Sequence, residues 1–369
     1  MLSKNLLSIK EKLADNERLS KEDGLRLYES FDILSVGMLA DFARINRLKI
    51  SNKTEKINHV YWINNHHLNL TNICEGSCKF CAYRRDKDED GSFILSLDQA
   101  AEHIETQIDK HVKEIHIVSA LNPECDLEFY VNLLKKCREI LPDVHIQAFT
   151  AVEIDYIAKI SGVSVEYTLK ELIKAGLGSL PGGGAENFSP EIRKNLCPDK
   201  ISGEKWLEIM EIAHSLGLKS NATMLSGIGE SYEDKINHML ALRELQDKTG
   251  GFMTFIPLFC HYENTKFDNY EEQTGVDIIK DYAISRLMLD NIPHIKAFWI
   301  QIGIKLAQIS LAFGVDDLDG TVMEEKITHY AGAKTGQAIL KDELTHLIRN
   351  AGKIPVERDT VYNIIKAYK

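Results

Sequence analysis

The sequence predicts an α/β fold, a (β/α)8 barrel of the TIM type preceded by a helical extension. From residue 66 onward, short apolar segments of strand length alternate with amphipathic segments of helical length, which is typical of a parallel sheet covered by helices. Eight apolar segments of this kind occur, and eight strands close such a barrel. The predicted strands are 67–73, 114–120, 145–150, 177–180, 220–225, 252–258, 294–299 and 311–315.

The chain is predicted to form one barrel with an addition at each end. Residues 1–60 contain three segments with helical spacing of apolar residues, and we expect them to form the amino-terminal helical extension. Residues 61–335 are the predicted barrel, and residues 336–369 are predicted to be helices that pack on it. No repeat and no stretch rich in proline, glycine or serine separates these regions, and 369 residues suit a single barrel with extensions.

The helices between the strands carry start and stop signals. Ser96 and Gln99 have the spacing of a capping box, in which each side chain bonds the backbone N–H of the other residue. Pro190 stands where the first residue of a helix is expected, a position that tolerates proline. Gly176 and Gly217 follow two helical segments and suit the left-handed residue that ends a helix. These signals support the alternation of strands and helices.

Composition and charge exclude several classes of protein. Hydrophobic residues make up 44% of the chain and charged residues 27%, which is ordinary for a globular protein. The net charge of −11 disfavours a nucleic acid or an anionic membrane as partner, whereas a small anionic substrate needs only a few cationic side chains. No apolar run is long enough to span a membrane, and the first residues resemble an amphipathic helix rather than a signal peptide, so we expect a cytoplasmic protein.

Three cysteines form the most specific feature of the sequence. Cys74, Cys78 and Cys81 lie within eight residues, directly after the first predicted barrel strand, and active sites of such barrels lie at that end. Gly76 permits the tight turn that would aim three thiolates at one point. Thiolates suit iron–sulfur clusters or zinc, and a structural zinc site usually takes four ligands in paired motifs that this chain lacks. The alternative is three incidental buried cysteines, as we expect for Cys125, Cys137, Cys197 and Cys260.

The segment 74–83, CEGSCKFCAY, resembles the radical S-adenosylmethionine (SAM) superfamily. The resemblance implies that the three cysteines hold a [4Fe–4S] cluster, whose fourth iron is chelated by the amino and carboxylate groups of SAM. It also implies that an electron from the cluster cleaves SAM to methionine and a 5′-deoxyadenosyl radical. Phe80 or Tyr83 would lie near the adenine of SAM, although an aromatic residue there can also simply pack the loop.

Three further segments narrow the resemblance. The segments 181–186 (PGGGAE), 220–225 (SNATML) and 319–329 (DGTVMEEKITH) are similar to the futalosine-dependent menaquinone enzymes and to the deazaflavin (F420 precursor) synthases. Among these families the aminofutalosine synthases match best, over residues 66–332. The cofactor-binding residues predicted in this way are Phe80, Tyr83, Ser119, Gly183, Glu186, Asn221 and Glu230. The glycine run could instead form only a tight turn, and Glu186 could cap the next helix.

The resemblance to aminofutalosine synthases implies a specific reaction. The substrate would be 3-[(1-carboxyvinyl)oxy]benzoate, an enol ether with two carboxylates, and the deoxyadenosyl radical would add to its vinyl carbon. Migration of the aryl group and loss of carboxylate would give 6-amino-6-deoxyfutalosine, with methionine and bicarbonate. A flavodoxin or a ferredoxin would be the electron donor.

Several polar residues are weaker candidates for the chemistry. His261 and His294 could bind a carboxylate or move a proton, and Arg84 and Arg85 could pair with the carboxylates. Glu325 is a further catalytic candidate. A structural or solvated role is favoured for these histidines and arginines and for Arg286. Glu324, Glu325 and His329 could close the top of the barrel or form a polar helix face.

Three other functions fit the same sequence. The first two are a cyclic dehypoxanthine futalosine synthase, which is a radical SAM cyclase, and one half of a deazaflavin synthase. The third is not an enzyme but an iron–sulfur or zinc protein that senses redox state.

Overall fold

The structure, a computed structural model, describes residues 4–267 and 271–368. Its helices are α1 (Lys4–Ala14), α2 (Lys21–Glu29), α3 (Ile33–Ile50), α4 (Leu97–Gln107), α5 (Leu127–Ile140), α6 (Ala151–Ile160), α7 (Val165–Ala175), α8 (Pro190–Leu196), α9 (Gly203–Ser215), α10 (Tyr232–Thr249), α11 (Gly275–Met288), α12 (Trp299–Ile302), α13 (Ile304–Ser310), α14 (Ile327–Tyr330) and α15 (Lys341–Asn350). Its strands are β1 (His59–Ile63), β2 (Asn65–Leu68), β3 (Glu114–Ile117), β4 (His145–Ala148), β5 (Ser179–Leu180), β6 (Lys219–Ser226), β7 (Phe252–Phe259), β8 (His294–Ile295), β9 (Asp317–Gly320), β10 (Ile354–Arg358) and β11 (Ile364–Ala367). No helix within these ranges combines the length and apolar character needed to cross a membrane.

A curled parallel sheet forms the centre of the molecule. Strands β2 to β8 are hydrogen-bonded in sequence order, each parallel to the next. β9 meets β8 through a bridge between Lys296 and Asp317 and pairs in parallel with β1, which leads into β2 after one residue. A second bridge joins His66 of β2 to Met323, beyond the end of β9. The predicted TIM-type α/β fold is confirmed.

The predicted strand 311–315 is wrong. These residues form a turn after α13, and the strand lies just beyond them at Asp317–Gly320. Two buried aspartates make this segment look too polar for a barrel strand. Each is matched by a cation, since Arg358 Nε lies 2.7 Å from Asp317 Oδ2 and Lys296 Nζ lies 3.0 Å from Asp319 Oδ1. Buried charges are tolerated when they are paired in this way.

The carboxyl-terminal segment also differs from the prediction. Residues 336–369 were predicted as helices, but the described part contains one helix, α15, followed by the strands β10 and β11. β10 pairs in parallel with β1, and β11 pairs antiparallel with β10. β1, which lies across the predicted boundary at residue 60, therefore needs a partner on its free edge. The prediction of helices relied on the local spacing of apolar residues, and that spacing does not reveal pairing with a distant strand.

Candidate active site

A cavity of about 370 Å³ occupies the inside of the barrel. Its lining reaches from the cysteine loop, which follows β2, to Asn65 and Glu114, the first residues of β2 and β3. Parallel strands present their carboxyl ends at one face of a barrel, so the cysteine loop covers the end at which active sites of this fold lie. Cys74, Cys78 and Cys81 all line the cavity.

The loop wraps tightly around the first cysteine sulfur. The backbone N–H groups of Gly76 and Leu121 donate to Cys74 Sγ at 3.3 and 3.4 Å. A Cβ atom added to Gly76 would lie 3.4 Å from Cys74 Sγ and 4.0 Å from Cys78 Sγ, so the turn brings the backbone close to both sulfurs. Hydrogen bonds from backbone amides stabilise negative charge on sulfur, as they do around protein-bound iron–sulfur clusters.

Two further contacts hold the loop in place. Arg84 Nε donates to the carbonyl of Gly76 at 2.8 Å, and the backbone N–H of Ser77 donates to Asp199 Oδ2 at 2.8 Å. Arg85 also serves the loop, because its guanidinium donates to the carbonyl of Ala82. Arg84 lines the cavity and Arg85 does not.

The cysteine thiols need positive charge nearby to ionise. Burial raises the pKa of Cys78 to about 12 and also raises the pKa of Cys74 above its usual value. Lys200 lowers the pKa of both thiols, although burial outweighs it. The thiols of this loop therefore ionise only with a further cation nearby, such as metal ions bound to the three sulfurs.

Lys200 connects the cysteine loop to the glycine-rich loop. Its ammonium pairs with Glu186 Oε1 at 2.5 Å and lies 5.1 Å above the ring of Phe80. Burial alone would lower the pKa of Lys200, but the Cys78 thiol and the Glu186 carboxylate raise the net value. Lys200, Glu186 and Phe80 all line the cavity, so two residues predicted to bind cofactor meet at one partly buried cation.

Residues 182–184 are glycines for reasons of packing and backbone conformation. A Cβ atom on Gly182 would lie 2.8 Å from the backbone of Ala222 in β6, and Gly184 has φ +79°. Gly183 lines the cavity, and its carbonyl accepts a hydrogen bond from Trp206. The close approach at Gly182 is to the neighbouring strand, which accounts for that glycine by packing alone.

The inner wall of the barrel carries a layer of polar side chains. His67, His116 and Gln147 occupy paired positions on β2, β3 and β4, and all three line the cavity. The rings of His67 and His116 stack with centroids 4.7 Å apart, and Gln147 Oε1 accepts from Asn221 Nδ2 at 3.2 Å. Burial lowers the pKa of both histidines, so they are neutral near pH 7. Asn221, which was predicted to bind cofactor, belongs to this layer.

Glu153 is a buried carboxylate that sequence reasoning missed. Its two oxygens accept from the backbone N–H groups of Ser119 at 2.6 Å and Thr150 at 2.7 Å. Burial raises the pKa of Glu153 to about 7, even though both amide donors favour its charged form. Ser119, another predicted residue, therefore lies at the cavity wall beside a carboxyl group that titrates near neutral pH.

The buried carboxyl group makes stability depend on pH. The folded-state pKa of Glu153, about 7, lies above its ordinary value of 4.5, so the folded protein binds the proton more tightly than the unfolded chain. We expect the stability that this proton contributes to be present below about pH 4.5 and to be lost as the pH rises through 7. The free energy of unfolding should fall by about 3 kcal/mol over this interval.

Urea denaturation of the wild type and of Glu153→Gln at pH 5 and pH 8 measures this effect. The variant cannot titrate at this position, so its change with pH should be smaller than that of the wild type by about 3 kcal/mol. Equal changes in the two proteins would contradict the raised pKa of Glu153.

The cavity wall contains more charged and polar groups near β7, β8 and β9. Lys296 and Asp319 pair at 3.0 Å and line the cavity, as do His261 and Glu325. Glu325 Oε2 lies 3.1 Å from Nδ1 of His329, and this hydrogen bond raises the pKa of His329 to about 9. The Glu325 carboxylate is thus held by a cationic histidine.

Other predicted residues lie away from the cavity lining. Glu230 accepts from the backbone N–H groups of Gly227 and Ile228, so it shapes the loop after β6. His294 is the first residue of β8 and pairs with Asp316 at 2.8 Å, as does Arg286 at 2.7 Å. Glu230, His294 and Arg286 therefore bond to structural partners, although the sequence made them candidates for binding or catalysis.

Tyr83 lines the cavity and packs edge-on against Tyr330, with ring centroids 5.3 Å apart. Its hydroxyl oxygen is buried and has no hydrogen-bond partner in the described part of the chain. Burial raises the pKa of Tyr83, so the group is a neutral donor. Among the remaining cysteines, Cys125, Cys137 and Cys197 are buried, whereas Cys260 is partly exposed and lines the cavity.

Comparison with known proteins gives the family. The model of the radical SAM superfamily matches residues 68–242, and the model of the CofH/MqnC C-terminal region matches residues 249–369. Aminodeoxyfutalosine synthase of Thermus thermophilus is 40% identical over 367 residues, which cover 98% of this chain and 96% of that protein. The chain belongs to the radical SAM superfamily. The resemblance seen in the cysteine loop is confirmed, and the protein is a radical SAM enzyme.

Two other relatives carry different names. A 5-amino-6-(D-ribitylamino)uracil–L-tyrosine 4-hydroxyphenyl transferase of Methanopyrus kandleri is 39% identical over 315 residues, covering 84% of this chain and 85% of that one. A cyclic dehypoxanthine futalosine synthase of Halalkalibacterium halodurans is 35% identical over 361 residues, which cover 98% of this chain and 95% of that protein. The solved structure of methylornithine synthase has a TM-score of 0.72 at 16% identity, covering 94% and 97%, and is similar in fold.

Membership of the superfamily implies a [4Fe–4S] cluster and SAM for this radical SAM enzyme. The residues present fit both groups. Three thiols of a tight loop line one cavity, two backbone amides already donate to one of the sulfurs, and the partly buried Lys200 lowers the pKa of another. The same cavity extends beyond the loop into the barrel, where a nucleotide and a substrate can lie against the polar inner wall.

Proposed function

We propose that this radical SAM enzyme is an aminodeoxyfutalosine synthase. It transfers the 5′-deoxyadenosyl group of SAM to 3-[(1-carboxyvinyl)oxy]benzoate, with migration of the aryl group from oxygen to carbon and loss of one carboxylate. One water molecule is consumed, and the products are 6-amino-6-deoxyfutalosine, methionine and bicarbonate. The overall reaction is redox-neutral, so the electron that starts it is returned when the carboxylate is lost. The observation that carries this proposal is the 40% identity to aminodeoxyfutalosine synthase of Thermus thermophilus over nearly the whole length of both chains.

The proposed ligands of the [4Fe–4S] cluster are Cys74, Cys78 and Cys81. When bound, the cluster supplies the electron that cleaves SAM. The chain contributes the backbone N–H groups of Gly76 and Leu121, which stabilise charge on Cys74 Sγ. A flavodoxin or a ferredoxin is the proposed source of the electron.

The chain positions SAM and excludes water from the site. Lys200, Glu186 and Phe80 form one partly buried group beside the cysteine loop, and we place the nucleotide against it. Apolar side chains of the strands and of the residues that follow them line the rest of the cavity: Val118, Leu225, Ile256, Leu258, Phe259 and Phe298. A reactive radical needs such a lining, because contact with solvent would divert it from the substrate.

Two cations are proposed to bind the substrate carboxylates. Arg84 pairs with Asp86, whose side chain is 71% exposed, and exposed ion pairs are weak enough to exchange for a substrate carboxylate. Lys296 lies on the inner wall and gives one N–H to Asp319, so its ammonium retains donors for the second carboxylate. A cavity with cations at separate places suits a substrate with two carboxylates.

Product analysis tests the proposed function. The reduced holoenzyme is incubated anaerobically with SAM and the enol ether, and the products are identified by mass. We expect methionine and a product that retains the adenosyl group joined by a new carbon–carbon bond, in amounts that match the methionine. The variant Cys81→Ala should give neither product.

The same assay separates the other candidates, which the remaining relatives favour. Free 5′-deoxyadenosine formed only with dehypoxanthine futalosine would assign the cyclase, and turnover of tyrosine with the ribitylaminouracil would assign the transferase. Intact SAM after incubation with a strong reductant would leave only a redox-sensing protein. Each of these outcomes contradicts the proposed synthase.

A further inference from the structure

A second group of potential metal ligands lies outside the barrel. His66 of β2, His103 of α4 and Glu324, which follows β9, come together on the outer side of the sheet. Neighbouring residues of a strand point to opposite faces, so His67 faces the cavity while His66 faces α4. The group therefore has no part in the active site described above.

The two histidines present unpaired nitrogens to one carboxylate. His66 is only 2% exposed, and its Nε2 atom lies 3.8 Å from Glu324 Oε1, beyond hydrogen-bond distance. His103 Nε2 lies 3.2 Å from Glu324 Oε2 without the geometry of a hydrogen bond. Both nitrogens are buried and have no hydrogen-bond partner in the described part of the chain. A buried polar nitrogen without a partner requires an explanation.

The spacing of the three groups suits a metal ion. Their ligand atoms all lie within 4.8 Å of one another. Ligands about 2.1 Å from a tetrahedral zinc ion lie about 3.4 Å apart, so small side-chain movements would complete such a site. The two imidazole rings are inclined by 70°, with centroids 6.3 Å apart, so they approach a common point from different directions.

The backbone at Glu324 supports a functional reason for this arrangement. Glu324 has φ +62°, a left-handed conformation that is uncommon for a glutamate. The preceding residue is fixed, because the carbonyl of Met323 accepts from the backbone N–H of His67 at 2.9 Å. Strained backbone of this kind often occurs at ligand-binding positions.

We propose that His66, His103 and Glu324 bind a divalent transition-metal ion of the zinc class. Imidazole nitrogens with one carboxylate suit zinc and its neighbours, whereas calcium and magnesium prefer all-oxygen sites. His103 and Glu324 also line a surface groove with Gln99 and Glu102, which leaves a position for water or a further oxygen ligand. The ion joins α4, β2 and the segment after β9, next to Glu325 of the active-site cavity.

Lys326 competes with the proposed ion for the carboxylate of Glu324. Its Nζ atom lies 3.7 Å from Glu324 Oε2 and is 40% exposed, so it can move away into solvent. Metal binding then exchanges a long, partly exposed ion pair, which contributes little, for bonds to three ligands. This competition provides a variant that should strengthen binding.

The test measures zinc uptake by the full-length holoenzyme. The protein with its cysteines occupied by the cluster is dialysed anaerobically against buffered Zn²⁺, and zinc and iron are counted in the same sample. We expect about one zinc per chain with unchanged iron in the wild type. His103→Ala and Glu324→Gln should bind zinc at least about 100-fold more weakly, because even outer partners of a metal cost 10–100-fold when they are removed. His111→Ala, a change at an exposed histidine, should match the wild type.

Lys326→Gln adds a second, independent measurement. Removing the competing ammonium should tighten zinc binding by about tenfold, since it lies close to the proposed ion. Wild-type affinity in His103→Ala or Glu324→Gln, no zinc uptake by the wild type, or unchanged affinity in Lys326→Gln would each overturn the proposal. None of these results bears on the product assay, so the two proposals fail separately.

Discussion

Replacing Cys78 with serine is expected to abolish the [4Fe–4S] cluster and lower SAM cleavage by at least about 10³-fold while leaving the barrel folded. Cys78 is one of three thiols on the loop that covers the carboxyl ends of the strands, and burial raises its pKa to about 12. A serine hydroxyl is a much poorer ligand for iron than a thiolate. Iron and sulfide analysis, the visible absorption of the cluster and the methionine released from SAM measure the effect.

A change at a cysteine outside the loop provides the control. Cys137 is fully buried in α5 and packs in the apolar core, so Cys137→Ala removes a sulfur without touching the site. This variant should retain the cluster and the activity of the wild type. Far-ultraviolet circular dichroism checks that both variants are folded. Retention of a full cluster by Cys78→Ser would remove this cysteine from the ligand set.

Replacing Arg358 with methionine is expected to lower the free energy of unfolding by about 3–5 kcal/mol. Arg358 Nε lies 2.7 Å from Asp317 Oδ2, and the two side chains are 2% and 0% exposed. Asp317 also accepts from the backbone N–H of Asp319, so it remains in place after the change, as a buried charge without a cation. This pair joins β9 to β10 on either side of β1, where the barrel closes.

Denaturation with urea compares this variant with one at an exposed ion pair. Lys87 and Glu124 form such a pair on the surface, with side chains 68% and 47% exposed, so Lys87→Met should cost less than about 1 kcal/mol. The double variant Arg358→Met, Asp317→Asn removes the stranded charge and should recover part of the loss. A cost for Arg358→Met as small as that for Lys87→Met would contradict the structural role of the buried pair.

Local patterns in the sequence predict most of the barrel. The capping box at Ser96 forms as expected, and strands overlap seven of the eight predicted segments. β9 was missed because its aspartates are stabilised by Arg358 and Lys296, which are distant in sequence. β10 and β11 were missed for a similar reason, since each depends on a partner strand rather than on its own spacing of apolar residues.

The candidate site also contains residues that a local sequence pattern predicts and residues that depend on partners distant in sequence. The cysteine loop is visible in the sequence, because three metal-binding residues within a short segment carry their own signal. Lys200 and Lys296 were missed as pocket residues, since their partners come from other loops and strands. The sequence does carry a signal for Glu153. Thr150 and Glu153 have capping-box spacing directly after a strand, which indicates a glutamate at the carboxyl end of the barrel. His116 and Gln147 at matching strand positions also indicate a polar barrel interior.

Electron paramagnetic resonance of the reduced enzyme tests the central claim most directly. That claim is that three cysteines at the mouth of the barrel hold a cluster whose remaining iron binds SAM. We expect about four iron and four sulfide ions per chain after anaerobic reconstitution, and a cluster signal that changes when SAM is added. Tight binding of zinc by the three cysteines in place of iron, or a cluster signal that SAM leaves unchanged, would contradict the claim.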